Sequence, residues 1–303
     1  MSTASRKDAI GFIGMGVMGS GMAANLLKAG FPVVGHDIDP KRNKEMAGKG
    51  AVIADGPAAV ARAAAKVVCM VETTAQAEAV IVGKGGIIDG AEKGDIVLCM
   101  STIDPLAAKR MHGVLAGRGI AMIDAPVSGG VPRAHSGELS AIVGGDKETV
   151  EACRPALAAM AANIFHMGGI GQGLAMKLVN NMLGHITTIA AAEAMVLGAK
   201  AGLDPKQMFE VVSASTGNSV TFQSRVPRYL SGDFSPGGTM DISFKDQELV
   251  TSFAKALGVP MFLANVSQQV YQMARAAGLG KKDGAAAVTV YERMAGVKLG
   301  PRE

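Results

Sequence analysis

The first half of the chain alternates short apolar or β-branched runs with alanine-rich stretches of helical period. "AIGFIG" (9–14), "PVVGHD" (32–37), "KVVCMV" (66–71), "DIVLCM" (95–100), "IAMIDA" (120–125), "LSAIVGG" (139–145) and "NIFHMG" (163–168) predict strands. The stretches around 19–29, 40–49, 57–64, 75–82, 106–117 and 147–160 predict helices. Such alternation predicts an α/β domain, a mostly parallel sheet with helices on both faces. Beyond residue 170 the strand signals stop. A nearly unbroken helical pattern runs from Gln172 to about Ala201, roughly 45 Å at the usual rise per residue. Further helical segments follow, separated by "AGLDP", "STGNS", "SGDFSPGG", "ALGVP" and "AGLGKKDG". The pattern predicts two domains, α/β over 1–170 and all-α over 171–303, joined by one long helix at 172–201.

Composition narrows the class. A chain of 303 residues that is 49% hydrophobic holds a large core, and its 19 methionines read as adaptable core filling. The net charge of +4 is slight and its cations are dispersed, with no tryptophan and no basic cluster interleaved with aromatics, so no nucleic-acid partner is expected. The first apolar stretch, "AIGFIGMG", is too short and too glycine-punctuated for a signal peptide or membrane span, and no membrane partner is expected. Cys69 and Cys99 lie in apolar runs and Cys153 in a helical stretch, without metal-ligand spacing, which suits reduced thiols in a cytoplasmic protein. The five histidines show no metal spacing either; His36 and His166 sit at strand ends and His135 in a loop, and all read as structural or exposed. No metal is expected.

The glycines carry the first chemistry. In "GFIGMGVMGSGMAANLLKAG", Gly14, Gly16 and Gly19 form GxGxxG directly after a strand and at the start of a helix, with Met15, Val17 and Met18 completing the loop. The first glycine makes the tight turn, the second lets a diphosphate approach the backbone, and the third lets helix and strand pack closely. The helix N-terminus then faces the anion. This is the signature of a Rossmann-type dinucleotide-binding domain. Asp37 ends the next strand, about 20 residues on, where a carboxylate accepts hydrogen bonds from a ribose diol. Ile38 and Asp39 follow it, and two carboxylates would repel a 2′-phosphate, so NAD fits better than NADP; Lys41 and Arg42 are the cations that could swing inward.

Two further motifs carry the rest. Ser128-Gly129-Gly130, in "DAPVSGGVPRAHSGELS", lies just beyond a strand's C-terminal end and offers a hydroxyl and closely spaced N–H donors to a carboxylate. "GGIGQGLAMKLVNNML" (168–183) sets Lys177 in a run of glycine and apolar side chains. A lysine buried without a partner is strongly unfavourable, so this one needs a reason. Lys177 and Asn181 stand four residues apart on one helix face, and a desolvated lysine held beside a nicotinamide and an alcohol can act as general acid/base. Asn180 points elsewhere and is expected to serve packing.

These residues give the chain its resemblance to the β-hydroxyacid dehydrogenase family, which includes 3-hydroxyisobutyrate dehydrogenases, tartronate semialdehyde reductases and threonate dehydrogenases. The match runs through "GFIGMGVMG", "STIDP" (101–105), "DAPVSGG", "GQGLAMKLVNN" and "FKD" (244–246), in order over nearly the whole chain. The resemblance implies a Rossmann domain plus a helical domain, assembled as a dimer or tetramer. It implies Lys177 as catalytic acid/base and Asn181 as the residue that orients substrate. Ser128, Gly129 and Gly130 would hold a small substrate's carboxylate, and Val71 and Thr102 would border the nicotinamide ribose. Lys245, beside Asp246, would close over cofactor and substrate. The implied reaction is NAD-dependent oxidation of a small 3-hydroxy acid, or its reversal. Val220 stands where several relatives carry a tryptophan, which leaves Ser219, Phe222 and Arg225 to shape a different pocket wall. Three other readings compete: a non-catalytic dinucleotide-binding module, an imine reductase, which commonly lacks the lysine, and a decarboxylating 6-phosphogluconate dehydrogenase, for which the chain is too short.

Overall fold

The computed structural model describes residues 5–301, and the chain divides into two compact units at Lys177/Leu178. In the first, β1 (Ile10–Ile13), α1 (Gly19–Lys28), β2 (Val33–His36), α2 (Pro40–Gly48), β3 (Val52–Ile53), α3 (Pro57–Ala63), β4 (Lys66–Cys69), α4 (Thr74–Ile81), β5 (Ile96–Cys99), α5 (Pro105–Ala116) and β6 (Ala121–Asp124) alternate as expected. Six strands form one parallel sheet in the order β3-β2-β1-β4-β5-β6. Side-chain alternation covers both faces of that sheet. Phe12, Val68 and Leu98 pack with Met22 and Leu26 on one side, while Ile13, Val67, Cys69 and Cys99 pack with Ile81 and Leu115 on the other.

The remaining strands depart from the expected single sheet. β7 (Val127–Ser128), α6 (Gly130–Ser136), β8 (Leu139–Val143), α7 (Lys147–Met160) and β9 (Ala161–His166) form a separate three-stranded sheet, β7-β8-β9, with an antiparallel and a parallel pair. Two pieces had no sequence signal strong enough to read, the two-residue strands β3 and β7. A third, α6, places His135 on a helix rather than in a loop. Its glycine start and Pro132 disguised it, although proline is well tolerated in a helix's first turn.

The second unit is helical. α8 (Gln172–Lys200) begins in the first unit and continues into the second, followed by α9 (Pro205–Ser213), α10 (Val220–Ser231), α11 (Met240–Ala256), α12 (Phe262–Ala274) and α13 (Val288–Ala295). Tyr229 and Tyr271, both fully buried, donate their hydroxyls to the α8 carbonyls of Thr188 (2.9 Å) and His185 (3.1 Å). Asp283, completely buried, accepts from Arg225 at 2.6 Å and from the N–H groups of Gly237, Gly238 and Ala285. That one carboxylate ties α10 to the loop that precedes α13.

The start of α8 is fixed by a residue that the sequence does not advertise. Asp124, the last residue of β6 and wholly buried, accepts the Gly171 N–H on Oδ1 (2.6 Å) and the Leu174 N–H on Oδ2 (2.7 Å). These are N–H groups at a helix N-terminus that would otherwise lack partners. Gly144 and Gly173 make the room: a Cβ on either would lie 2.6 and 2.8 Å from the carboxylate oxygens. Burial pushes the Asp124 carboxyl up to about 6, against the pull of the backbone N–H groups.

The linkage follows from that shift. The folded group binds its proton up to about pH 6 and an unfolded aspartate only up to about pH 4, so the native state holds more protons between these values. Its contribution to stability therefore falls as pH rises through this window. Asp124→Asn removes the titration, so the stability of the wild type relative to Asp124→Asn should be higher at pH 4.5 than at pH 7.5 by about 2 kcal/mol in denaturant unfolding. A difference independent of pH would show that the carboxylate is not shifted by burial.

Candidate active site

The glycine loop fits a dinucleotide for steric reasons visible at two positions. Gly14 has φ +91°, and a Cβ there would run into the Met70 carbonyl. A Cβ on Gly19 would run into the carbonyl of Gly14, so the third glycine lets α1 start against β1. A Cβ on Gly16 would meet only the tip of Arg42, leaving the loop's outer side open to a ligand. Met15 is buried, Val17 is exposed, and Met18 packs partly against the core. α1 begins without a side-chain cap, and although the Ser20 N–H already donates to the Gly16 carbonyl at 2.9 Å, the helix N-terminus can face a diphosphate.

Asp37 lies just past β2 and is buried, but its carboxylate also has structural work. Oδ2 accepts the Met15 N–H of the glycine loop at 2.7 Å and Oδ1 accepts the Asp39 N–H at 2.9 Å. Asn43 brackets the same residue, bonding both its N–H and its C=O. Arg42 lies 3.5 Å from Asp37 and 3.7 Å from Asp39, so its charge is already answered by two carboxylates. Val71 and Thr102 are half-buried in the segments that follow the C-terminal ends of β4 and β5, and Ser101 Oγ accepts the Val71 N–H at 2.7 Å. Ser128 ends β7 half-buried; Gly129 and Gly130 follow it, exposed and both in left-handed backbone conformations.

Lys177 is buried, with 7% of its surface exposed, which excludes a solvated helix face. Leu174 and Leu178 on either side of it belong to apolar clusters. One turn along α8, Asn181 donates through Nδ2 to Asp246 Oδ2 at 2.7 Å. That bond fixes which way the Asn181 amide faces. Asp246 is itself buried, and its Oδ1 stands 3.1 Å from Lys245 Nζ. The structure thus joins Asn181, Lys245 and Asp246 in one polar cluster of the helical unit. Another turn along α8, His185 Nε2 stands 3.7 Å from Asp246 Oδ2.

Other sequence expectations are corrected or given different tasks. Asn180 is exposed, not packed, and donates to Asn181 Oδ1 at 3.3 Å. Val220 is 89% exposed at the start of α10. Ser219 caps that helix by accepting the Phe222 N–H at 2.9 Å, Phe222 stacks on Phe209 in a buried cluster, and Arg225 serves Asp283. These three are accounted for by structural contacts. The three cysteines are buried thiols, and burial pushes Cys69 and Cys153 up to about 12, which makes them poor nucleophiles. Two residues of interest escaped the sequence reading: Asp124, whose only local sign is an acid closing an apolar strand, and His185, whose only sign is its four-residue spacing from Asn181.

Comparison with known proteins agrees with this arrangement. Residues 9–169 match the NAD-binding domain of 6-phosphogluconate dehydrogenase, and residues 171–291 match the NAD-binding domain of NADP-dependent 3-hydroxyisobutyrate dehydrogenase. The chain is 35% identical to 2-(hydroxymethyl)glutarate dehydrogenase of Eubacterium barkeri, covering 96% of this chain and 97% of the other. It is 36% identical to human mitochondrial 3-hydroxyisobutyrate dehydrogenase, covering 91% and 84%. Among solved structures, a 3-hydroxyisobutyrate dehydrogenase of Mycobacterium tuberculosis, determined with L-serine, superposes with a TM-score of 0.88 at 31% identity, covering 94% of this chain and 99% of that one. With a dinucleotide loop, a buried helix lysine and both halves matched over almost its full length, the chain belongs to the β-hydroxyacid dehydrogenase family of NAD(P)-binding oxidoreductases.

Proposed function

We propose that this chain is an NAD-dependent dehydrogenase of a small 3-hydroxy acid, 3-hydroxyisobutyrate or a close relative, with Lys177 as its general acid/base. The observation that carries the proposal is the buried lysine one helical turn before an asparagine whose amide is oriented by a buried carboxylate. The relatives named above are dehydrogenases of 3-hydroxyisobutyrate and of 2-(hydroxymethyl)glutarate, which share a hydroxyl on the carbon β to a carboxylate.

Gly14, Gly16, Gly19 and the first turn of α1 would hold the diphosphate, Asp37 the adenosine ribose, and Val71 and Thr102 the nicotinamide end. Bound there, the dinucleotide supplies the hydride acceptor for the carbinol C–H. The protein supplies the rest. Lys177 would accept the hydroxyl proton at Nζ as the carbonyl forms, and return it in the reverse direction. Ser128, Gly129 and Gly130 would grip the substrate carboxylate, and Asn181, held by Asp246, would orient the hydroxyl. The same reading makes the enzyme a cytoplasmic homodimer or homotetramer; buried free cysteines and the exposed Leu183 and Leu197 of α8 support it.

Lys177→Ala should lower turnover by roughly 10²–10⁴-fold under saturating NAD and 3-hydroxyisobutyrate, the usual worth of a positioned proton-transfer group. Lys177→Arg should not restore activity, since guanidinium cannot give up its proton near neutral pH. Turnover of Lys177→Ala within threefold of wild type would remove the lysine from the chemistry.

The wild type should prefer NAD over NADP by at least about tenfold in kcat/KM, a difference near 1.4 kcal/mol. Asp37→Ser combined with Ile38→Arg should shift that ratio toward NADP, because Ile38 is 89% exposed and an arginine there is unobstructed. Total efficiency should fall as well, since Asp37 also holds the Met15 N–H. A wild type that already prefers NADP would contradict the assignment of Asp37 and Asp39 as the discriminating carboxylates.

A further inference from the structure

We propose that Asn25 is a positioning residue for the substrate: from α1 it holds α6, and through α6 the Ser128–Gly130 loop that would grip the substrate carboxylate. The proposal rests on the hydroxy-acid dehydrogenase reading above. The Asn25 amide donates through Nδ2 to the Ala134 carbonyl of α6 at 2.9 Å, across 109 residues of sequence. One turn earlier on the same face of α1, Gly21 makes room for that contact. A Cβ there would lie 2.8 Å from the Ala134 carbonyl oxygen and 3.0 Å from the His135 ring. Ala134 itself is completely buried. Both α1 residues belong to the stretch that opens the cofactor half, yet the dinucleotide turn needs neither of them, since Gly14, Gly16 and Gly19 account for it.

α6 needs such a holder. At seven residues it is too short to persist on its own hydrogen bonds, so contacts from outside must fix it. Its last carbonyls also lack partners within the helix. The Arg133 carbonyl finds them nearby, in the N–H groups of Gly137 and Glu138. The Ala134 carbonyl finds its partner in Asn25. Gly137, with φ +79°, then carries the chain past the same amide, for a Cβ there would lie 3.5 Å from Asn25 Cγ.

The loop depends on where α6 sits. On its upstream side β7 is two residues long and pairs with β8 only through Val127 and Ser128. Gly129 and Gly130 follow with φ +135° and +73°. Two glycines in succession leave the directions of their N–H groups open unless both ends are anchored. α6 begins at Gly130 and is the downstream anchor. Arg133 of α6 adds a tie, since its Cδ lies 2.8 Å from where a Cβ on Gly129 would stand. An N–H that grips a carboxylate must keep its direction, because hydrogen bonds weaken steeply off line. α1 thus bears the dinucleotide loop at its start and, on its side, the helix that sets the carboxylate loop. The dinucleotide loop keeps ties of its own, among them the Met15 N–H to Asp37, and does not depend on Asn25.

The test separates substrate from cofactor in Asn25→Ala. The KM for 3-hydroxyisobutyrate is measured under saturating NAD, and the NAD Kd by isothermal titration calorimetry without substrate. That KM should rise by at least about fivefold, with kcat within about threefold and the NAD Kd within about twofold of wild type. Asn25→Asp, of the same size but unable to donate, should raise KM as Asn25→Ala does. If circular dichroism finds Asn25→Ala unfolded, Gly21→Ala decides by the same readings, since it keeps Asn25 and drives a methyl against the Ala134 carbonyl. A KM within about twofold of wild type, or a KM and an NAD Kd that rise together, would overturn the role of Asn25 and leave the enzyme reading intact. Loss of the fold in both alanine variants would also overturn it, because Asn25 would then serve the core. No turnover by the wild type on any 3-hydroxy acid would overturn both readings.

Discussion

The position of the proposed catalytic lysine depends on one buried carboxylate. Asp124 closes β6 and accepts N–H groups from Gly171 and Leu174, so the first turn of α8 cannot slide or rotate against the sheet without losing those bonds. Lys177 follows one turn later on the same helix. A side chain used for proton transfer must be placed to within a fraction of an ångström. A helix pinned at its start by short bonds to the main sheet is a rigid way to meet that demand. Gly144 and Gly173 belong to the same device, since a side chain at either would fill the space that Asp124 occupies.

Several polar groups in the chain have two tasks, and the packing explains why. Asp37 is read from sequence as a ribose ligand, yet it also clamps the Met15 N–H of the glycine loop. The carboxylate proposed to discriminate between cofactors also shapes the turn proposed to receive the diphosphate. Asp246 in the helical unit likewise orients Asn181 and answers the charge of Lys245. Burying a carboxylate is expensive unless every oxygen is partnered, and sharing each one between structure and chemistry limits how many must be buried.

Much of this was legible in the sequence, for physical reasons that differ by element. The glycine loop could be read because its constraint is local: a strand, two close backbone approaches and a helix start, all within a dozen residues. Lys177 could be read because a lysine in an apolar run violates an energetic rule. Asp124 could not, because its partners lie 47 and 50 residues away along the chain. The strands around residues 139–145 and 163–168 were visible as strands, but their separation into a second sheet was not, since periodicity carries no information about pairing. Ser219, Phe222 and Arg225 could be read from sequence only as neighbours of Val220; the cap, the aromatic stack and the ion pair they make each have a partner that only the fold supplies.

The central claim, that Lys177 moves a proton rather than merely supplying charge or filling space, is tested most directly by chemical rescue. Lys177→Ala is assayed with saturating NAD and 3-hydroxyisobutyrate, with methylammonium or tetramethylammonium added at equal concentration and ionic strength. If the lysine is the acid/base, methylammonium should restore turnover by at least about tenfold, rising with pH as more free methylamine forms, and tetramethylammonium, which carries charge but no proton, should restore none. Equal stimulation by the two cations would contradict proton transfer at Lys177.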